Sequence, residues 1–381
     1  MWKLKKENDF SVLVFFHDED FAKGSANFDI VKRTIERNSL KWGLTITYFI
    51  DDRLNKEDVR RATEIIQNET CIKFQETDNI SGPGLRFTKG TGCGSLIGRD
   101  PRNIPQSITI AEGCRFHTYI IHEIGHALGL IHEMKRPDRD NYITVNRQNL
   151  QNGGLSQVFD KYSSSHVITH NLKYDYGSLM HYPYNGFSNG KGNTITPKDE
   201  NYFGTMGQRI ELGFNDIKHL NLHYCSNKCS NQLPCKFGGY PDPNNCNVCK
   251  CPRFYKGKYC ERCASSSKNC GKKIFEASDT TQYIYLNGVK SCLIQIKTTP
   301  RYKIKLIING SLIDRTICNP HTGLEVKYYL DKSVSGAILC GKDIKNKMII
   351  SEKNVIAMHY VGEADNHNVR IEYKRIVHNK V

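Results

Sequence analysis

The chain is 381 residues long and carries 54 Lys and Arg against 39 Asp and Glu, a formal net charge of +15. Its length exceeds one compact core of roughly 100 to 200 residues, so two or three modules are expected. Fifteen cysteines argue against a reducing cytosol, where thiols stay unbridged, and an odd number leaves at least one without a partner.

Residues 1–18 open with Lys3, Lys5 and Lys6, followed by an apolar stretch only from 11 to 16. That is shorter than the apolar core of a signal peptide, about 7 to 15 residues, so the start reads as truncated or preceded by a missing leader. No run of about 18 apolar residues occurs, and no transmembrane helix is expected. Acceptor sequons at Asn68, Asn79 and Asn309 are compatible with secretion to the extracellular space. The basic excess points to acidic polysaccharide or acidic substrate loops as partners rather than nucleic acid, although a solvated basic surface explains the same charge.

Residues 119–130 (YIIHEIGHALGL) are apolar, with polar residues at helical spacing, and place His122 and His126 on one face at i and i+4. Zinc holds its nitrogen ligands about 2.0 to 2.1 Å away in a tetrahedron, which two imidazoles one turn apart can supply. His132 would lie about 15 Å farther along a continuing helix. Gly129 resolves this, since a residue without Cβ can take the left-handed conformation that ends a helix and turns His132 back toward the metal. Three histidines leave a fourth position for water, whose pKa the zinc lowers toward about 7, with Glu123 placed to take its proton as general base. The competing reading is a histidine-rich helix packed in a core.

The full string from His122 to Glu133 (HEIGHALGLIHE) resembles the metzincin signature, and its terminal Glu133 is similar to the astacin branch. Residues 178–182 (SLMHY) resemble the Met-turn of astacins. The resemblance implies Met180 as the base beneath the metal and Tyr182 as a labile fifth ligand, whose phenol could also stabilise a developing oxyanion. It extends through residues 42–51, 70–74, 92–99, 136–142 and 207–225, with Gly213 standing where serine is usual. It further implies disulfides Cys71–Cys225 and Cys93–Cys114, and a zymogen whose new N-terminus is buried near Glu133 after cleavage. Arg33 and Arg37 are the candidate cleavage sites, and Asp29 is the weakly matching candidate for a zinc-capping propeptide aspartate.

From Cys229 the sequence changes to short loops bearing Gly and Pro, with cysteines at 229, 235, 246, 249, 251 and 260, as in a small disulfide scaffold. Six cysteines allow fifteen pairings. A resemblance to EGF-like modules implies 229 with 246, 235 with 249 and 251 with 260; a zinc ribbon is the competing reading. With Asn227 alone among oxygen donors before Cys229, no calcium is expected there. Beyond Gly271, period-2 runs at 293–296, 303–308, 348–350 and 369–373 suggest a β-sandwich. Its cysteines resemble those of a CUB domain, implying 270 with 292 and 318 with 340 and leaving Cys263 over. Residues 270–381 hold 18 Lys and Arg against 10 Asp and Glu, a candidate surface for docking to acidic matrix.

The expected fold class is α+β: a propeptide-like segment 1–37, a two-lobed astacin-like protease 38–226, an EGF-like module 227–264 and an all-β CUB sandwich 270–378. The expected function is a secreted endopeptidase with one zinc per chain, held by His122, His126, His132 and Tyr182, with Glu123 and Tyr182 catalytic. It would act on a protein or peptide substrate, with extracellular matrix or cuticle suggested because roundworm astacins share this module order. The rival is a catalytically weak matrix-binding protein acting through its CUB domain. The histidines at 117, 166, 170, 219 and 223 read as structural or exposed.

Overall fold

A computed structural model describes residues 40–151 and 155–377. The propeptide-like segment, with Asp29, Arg33 and Arg37, lies outside the described residues. The first lobe is built on β1 (Thr45–Ile50), α1 (Lys56–Glu69), β2 (Lys73–Glu76), β3 (Gly84–Lys89), β4 (Gly94–Ser95), β5 (Pro105–Ile110) and α2 (His117–Ala127). Its sheet runs β2-β1-β3-β5-β4, parallel except for the antiparallel edge of β4 on β5. Asn55 caps α1 by accepting the Glu57 N–H at 3.1 Å, and Glu57 and Asp58 in the first turn suit the positive end of its dipole. Val59, Ala62 and Ile66 turn inward from α1 to meet Ile46, Leu85, Phe87 and Ile108 of the sheet and Ile121 and Ile124 of α2.

The second lobe has little regular structure: the strand pair β6 (Ile143–Val145) and β7 (Ile195–Pro197), then α3 (Phe214–Tyr224). Cys71–Cys225 ties the end of α3 to the start of β2, and Cys93–Cys114 ties the β4 edge to the loop before α2. Cross-links closing loops this long restrict the unfolded chain.

The small module pairs β8 (Tyr240–Asp242) with β9 (Asn245–Lys250) and β10 (Tyr255–Lys256) with β11 (Arg262–Cys263). Its bonds are Cys229–Cys246, Cys235–Cys249 and Cys251–Cys260, the pairing that the resemblance implied among the fifteen. The C-terminal sandwich contains β12 (Ile274–Glu276), β13 (Gln282–Asn287), β14 (Lys290–Lys297), β15 (Tyr302–Ser311), β16 (Gly323–Lys327), β17 (Ala337–Leu339), β18 (Ile344–Ile350), β19 (Val355–Gly362) and β20 (Asn368–Val377). One sheet has the order β12-β14-β19-β16-β17 and the other β13-β20-β15-β18. Cys270–Cys292 and Cys318–Cys340 close it, and Cys263 is the free cysteine among the described residues.

The sandwich does not hang free of the protease lobe. Tyr202 stacks on Tyr176 at 4.4 Å and faces Tyr329 of the sandwich at 5.7 Å, so the core of the second lobe runs without a break into the sandwich core. Arg253 of the small module pairs with Glu211 of the second lobe and Glu325 of the sandwich. No helix of the described residues is long and apolar enough to cross a membrane.

Candidate metal centre

Every residue of α2 from Ile120 to Ala127 is buried, so the helix is held from all sides while its histidine face meets the second lobe. The carbonyls left over at its C-terminal end find donors at a distance: Trp42 Nε1 donates to Ala127 O at 2.8 Å and Tyr224 Oη to Leu128 O at 3.1 Å. The helix ends at Ala127 with Leu128 as its C-cap, immediately before the glycine expected to end it. Gly129 then takes φ +100°, and the Leu130 N–H reaches back to Gly125 O at 2.8 Å. A side chain at that φ would be strained, which is why glycine occupies the corner that returns His132 to the helix.

The three rings converge on their Nε2 atoms: His132 Nε2 lies 3.3 Å from His122 Nε2 and 3.2 Å from His126 Nε2. His122 Nδ1 faces Leu179 O at 3.1 Å and His126 Nδ1 faces Leu130 O at 2.8 Å. A carbonyl only accepts, so both Nδ1 atoms carry the proton and both Nε2 atoms point lone pairs inward. Lone pairs gathered at this spacing repel one another unless a cation lies between them. Two nitrogens about 2.0 to 2.1 Å from a tetrahedral zinc would sit about 3.3 Å apart, so the donor set fits that ion. Burial holds the pKa of His122 and His132 well below the ordinary value, and the neighbouring imidazoles add to it, so both are kept neutral, the form in which an imidazole can bind a metal.

Glu123, next to the first ligand on α2, is buried. Tyr182 is also buried, its ring 4.4 Å from that of His132. Met180 packs against the helix on the histidine side, where a Cβ on Gly125 would stand 3.4 Å from its sulfur. Glu133 donates its N–H to Met180 O at 3.0 Å, while its carboxylate accepts from Arg136 at 3.2 Å and from the Asp175 N–H at 2.8 Å. Burial raises its pKa to about 7, against the pull of Arg136.

Several supporting residues escaped the sequence reading. Arg209 donates to Leu179 O at 2.9 Å and His181 O at 3.0 Å, so Leu179 O takes a hydrogen bond from a guanidinium as well as from His122. Asp216 of α3 accepts from Ser178 Oγ at 2.6 Å and the Leu179 N–H at 2.9 Å, which fixes the turn bearing Met180. Arg209 and Asp216 lie 28 to 38 residues from the groups they hold, too far apart for any local spacing to reveal. Nearer in sequence, His181 Nε2 meets Tyr174 Oη at 2.7 Å. Among the histidines read as structural or exposed, His166 is exposed, whereas His170, His219 and His223 gather beside α3. Among the described residues, the group of three or more His, Cys, Asp or Glu placed to hold one ion is His122, His126 and His132.

The family model described as Astacin, a peptidase family, matches residues 34–225. Zinc metalloproteinase nas-34 of Caenorhabditis elegans is 37% identical over 330 residues, covering 85% of this chain and 54% of that protein. Zinc metalloproteinase nas-23 of the same organism is 30% identical over 380 residues, covering 96% and 71%. Among solved structures, high choriolytic enzyme 1, a hatching enzyme zinc-protease from the medaka fish Oryzias latipes, aligns with a TM-score of 0.44 and 30% identity, covering 49% of this chain and 98% of its own. The chain thus spans little more than half of nas-34.

Proposed function

The chain belongs to the astacin family of zinc metalloproteinases, and from that membership we propose that it is a secreted endopeptidase cleaving extracellular or matrix proteins. The observation that carries this reading is the convergence of the histidine Nε2 atoms at 3.2 and 3.3 Å with Glu123 next to the first of them. Bound zinc supplies Lewis acidity and a water whose pKa falls toward about 7.

The chain's own residues do the rest. Glu123 takes a proton from the attacking water and returns it to the leaving amine. Tyr182, beside His132, serves as a labile ligand and donates its phenolic hydrogen to the oxyanion as charge develops there. Met180 and the carbonyls of Leu179 and Leu130 keep the ligand rings in place, so that little reorganisation accompanies the reaction.

Seven disulfides among the described residues support an oxidising, extracellular setting. We assign the small module as EGF-like and the sandwich as CUB-like, on their cysteine pairing and the two-sheet topology. The net charge of +15 favours acidic polysaccharide as a docking partner. Cuticle or other matrix protein is the proposed substrate, in keeping with the roundworm relatives.

The test is hydrolysis of a mixed peptide library by chain trimmed to begin near Asn38, with and without a zinc chelator, beside Glu123→Gln. Chelator-sensitive cleavage that the variant loses while still binding zinc is the expected result. Absence of cleavage by zinc-loaded, folded chain overturns the catalytic reading.

A further inference from the structure

The loop joining β16 to β17 in the C-terminal sandwich reaches into the support of the metal centre. The Ser335 N–H donates to both carboxylate oxygens of Asp175, at 3.2 and 3.1 Å. Asp175 is almost wholly buried in the second lobe, and its own N–H donates to Glu133 at 2.8 Å. Glu133 follows the ligand His132 and holds Met180 O through its own N–H. Asp175 also accepts from the Gly177 N–H at 3.0 Å through its carboxylate and from the Ser178 N–H at 3.1 Å through its carbonyl. It therefore shapes the turn whose Leu179 carbonyl orients His122. Two hydrogen bonds separate the sandwich from the residue beside His132.

The contact is closely fitted. A Cβ on Gly177 would stand 2.6 Å from the Ser335 Cβ, so the loop rests directly on the backbone leading into the 178–180 turn. Lys327 Nζ braces the loop from within the sandwich, donating to Lys332 O at 2.8 Å and Val334 O at 2.9 Å. On either side, the Ile338 N–H donates to Thr205 Oγ1 at 2.9 Å and Tyr202 Oη to Ser335 O at 3.2 Å. Farther off, Tyr328 and Tyr329 both donate to Asp199, at 2.5 and 3.1 Å. A loop serving only as a tether would need none of these bonds into a buried carboxylate.

We propose that the sandwich is a working part of the peptidase site: docking of Ser335 on Asp175 makes Asp175 a positioning residue for Glu133 and the 178–180 turn. This rests on the peptidase reading above. Undocking then lowers kcat on any substrate, including peptides too short to touch the sandwich, because what it loosens is the ligand frame and not substrate contacts.

The test uses the full activated chain and a short fluorogenic peptide, with hydrogen exchange of residues 173–181 followed in zinc-loaded and zinc-free protein. Ser335→Trp places bulk against Gly177. The double variant Tyr328→Phe with Tyr329→Phe loosens the same docking from its far edge and covers the case in which the first does not fold. Tyr285→Trp adds bulk at a position 67% exposed on β13 and serves as control.

The expected result is a fall in kcat of about tenfold for Ser335→Trp, smaller for the double variant, with KM unchanged and faster exchange at 173–181. The control changes neither. Unchanged kcat in both interface variants, or a loss confined to KM, overturns the proposal. If the parent chain itself cleaves nothing, the peptidase reading has failed, and exchange alone decides: faster exchange at 173–181 in the zinc-free variants supports the positioning role, and unchanged exchange overturns it.

Discussion

Two groups of three histidines can be compared within this one chain. Each has an i, i+4 pair on a helix, His122 with His126 on α2 and His219 with His223 on α3, and each has a third ring brought from elsewhere, His132 or His170. In the first group the ring centroids lie 4.6 to 5.3 Å apart, and two Nδ1 atoms are spoken for by carbonyls. In the second, His170 lies 5.6 Å from His219 and 6.2 Å from His223, while His170 Nε2 and His219 Nδ1 are buried with no hydrogen-bond partner. Arg136 and Lys41 add positive charge to that neighbourhood. Helical spacing therefore puts two imidazoles on one face, but only the outer hydrogen bonds aim them at one point.

The largest expected effect separates the two groups directly. His126→Ala should empty the site of zinc and lower kcat/KM at least about a thousandfold, roughly 4 kcal/mol of transition-state stabilisation. His219→Ala, on the other helix, should leave zinc content and kcat/KM unchanged. Metal analysis and peptide kinetics on both variants check this, and a loss of zinc from the second would break the distinction.

Asp216→Ala sharpens it by attacking the frame instead of a ligand. The carboxylate accepts from Ser178, Leu179 and Gly213, and removing it leaves two backbone N–H groups buried without acceptors, a cost of about 3 kcal/mol in urea unfolding. Because Leu179 O orients His122, zinc affinity should weaken about tenfold as well. Destabilisation with full zinc affinity would show that the turn is held by packing alone.

What the sequence made legible follows the same division. His122, His126, Gly129 and His132 lie within eleven consecutive residues, so spacing alone carried the geometry of helix, corner and return. Arg209, Asp216 and Asp175 act across 28 to 42 residues or more, and although the resemblance ran through 207–225, no local spacing says what Arg209 and Asp216 hold. In the sandwich, the period-2 runs landed on β14, β15, β18 and β20, but β12, β13, β16, β17 and β19 were not anticipated. β17 is an apolar run with no alternation to find, whereas β16 does alternate in sequence, Leu324 and Val326 against Glu325 and Lys327, and buries both of its faces. β14 is similar: residues 292–296 are all buried, because Leu293 on its outer face packs under Cys249, Phe254 and Tyr255 of the small module.

The second group has a pH signature that the first, once metal is bound, should lack. Burial, with Lys41 and His170 adding to it, lowers the pKa of His223 to about 4. Between the ordinary value near 6.5 and about 4 the unfolded chain binds a proton that the folded chain refuses. The native state therefore keeps its full stability above pH 6.5 and loses on the order of 2 kcal/mol as pH falls toward 4. His223→Gln should flatten that part of the profile in urea titrations at pH 7, 5.5 and 4.5. An unchanged slope would mean that His223 protonates without leaving its place against Tyr224.

The smallest effect concerns the cap of the helix that carries His219 and His223. Gly213 precedes α3 with φ −62° and ψ 155°, an extended conformation open to any residue, and its N–H donates to Asp216 at 2.8 Å. That is half of a capping box; a hydroxyl at 213 would accept from the Asp216 N–H and complete it. The Cβ would approach Asp216 Oδ2 to 3.2 Å, so the carboxylate must give slightly, and Gly213→Ser should gain only about 0.3 kcal/mol. The same oxygen also accepts from the Leu179 N–H, which makes the substitution informative about the first group. A gain in stability with zinc affinity unchanged would mean that the carboxylate can yield at the cap without disturbing the turn, whereas any weakening of zinc binding would show a strain of a few tenths of an ångström passing from α3 to His122.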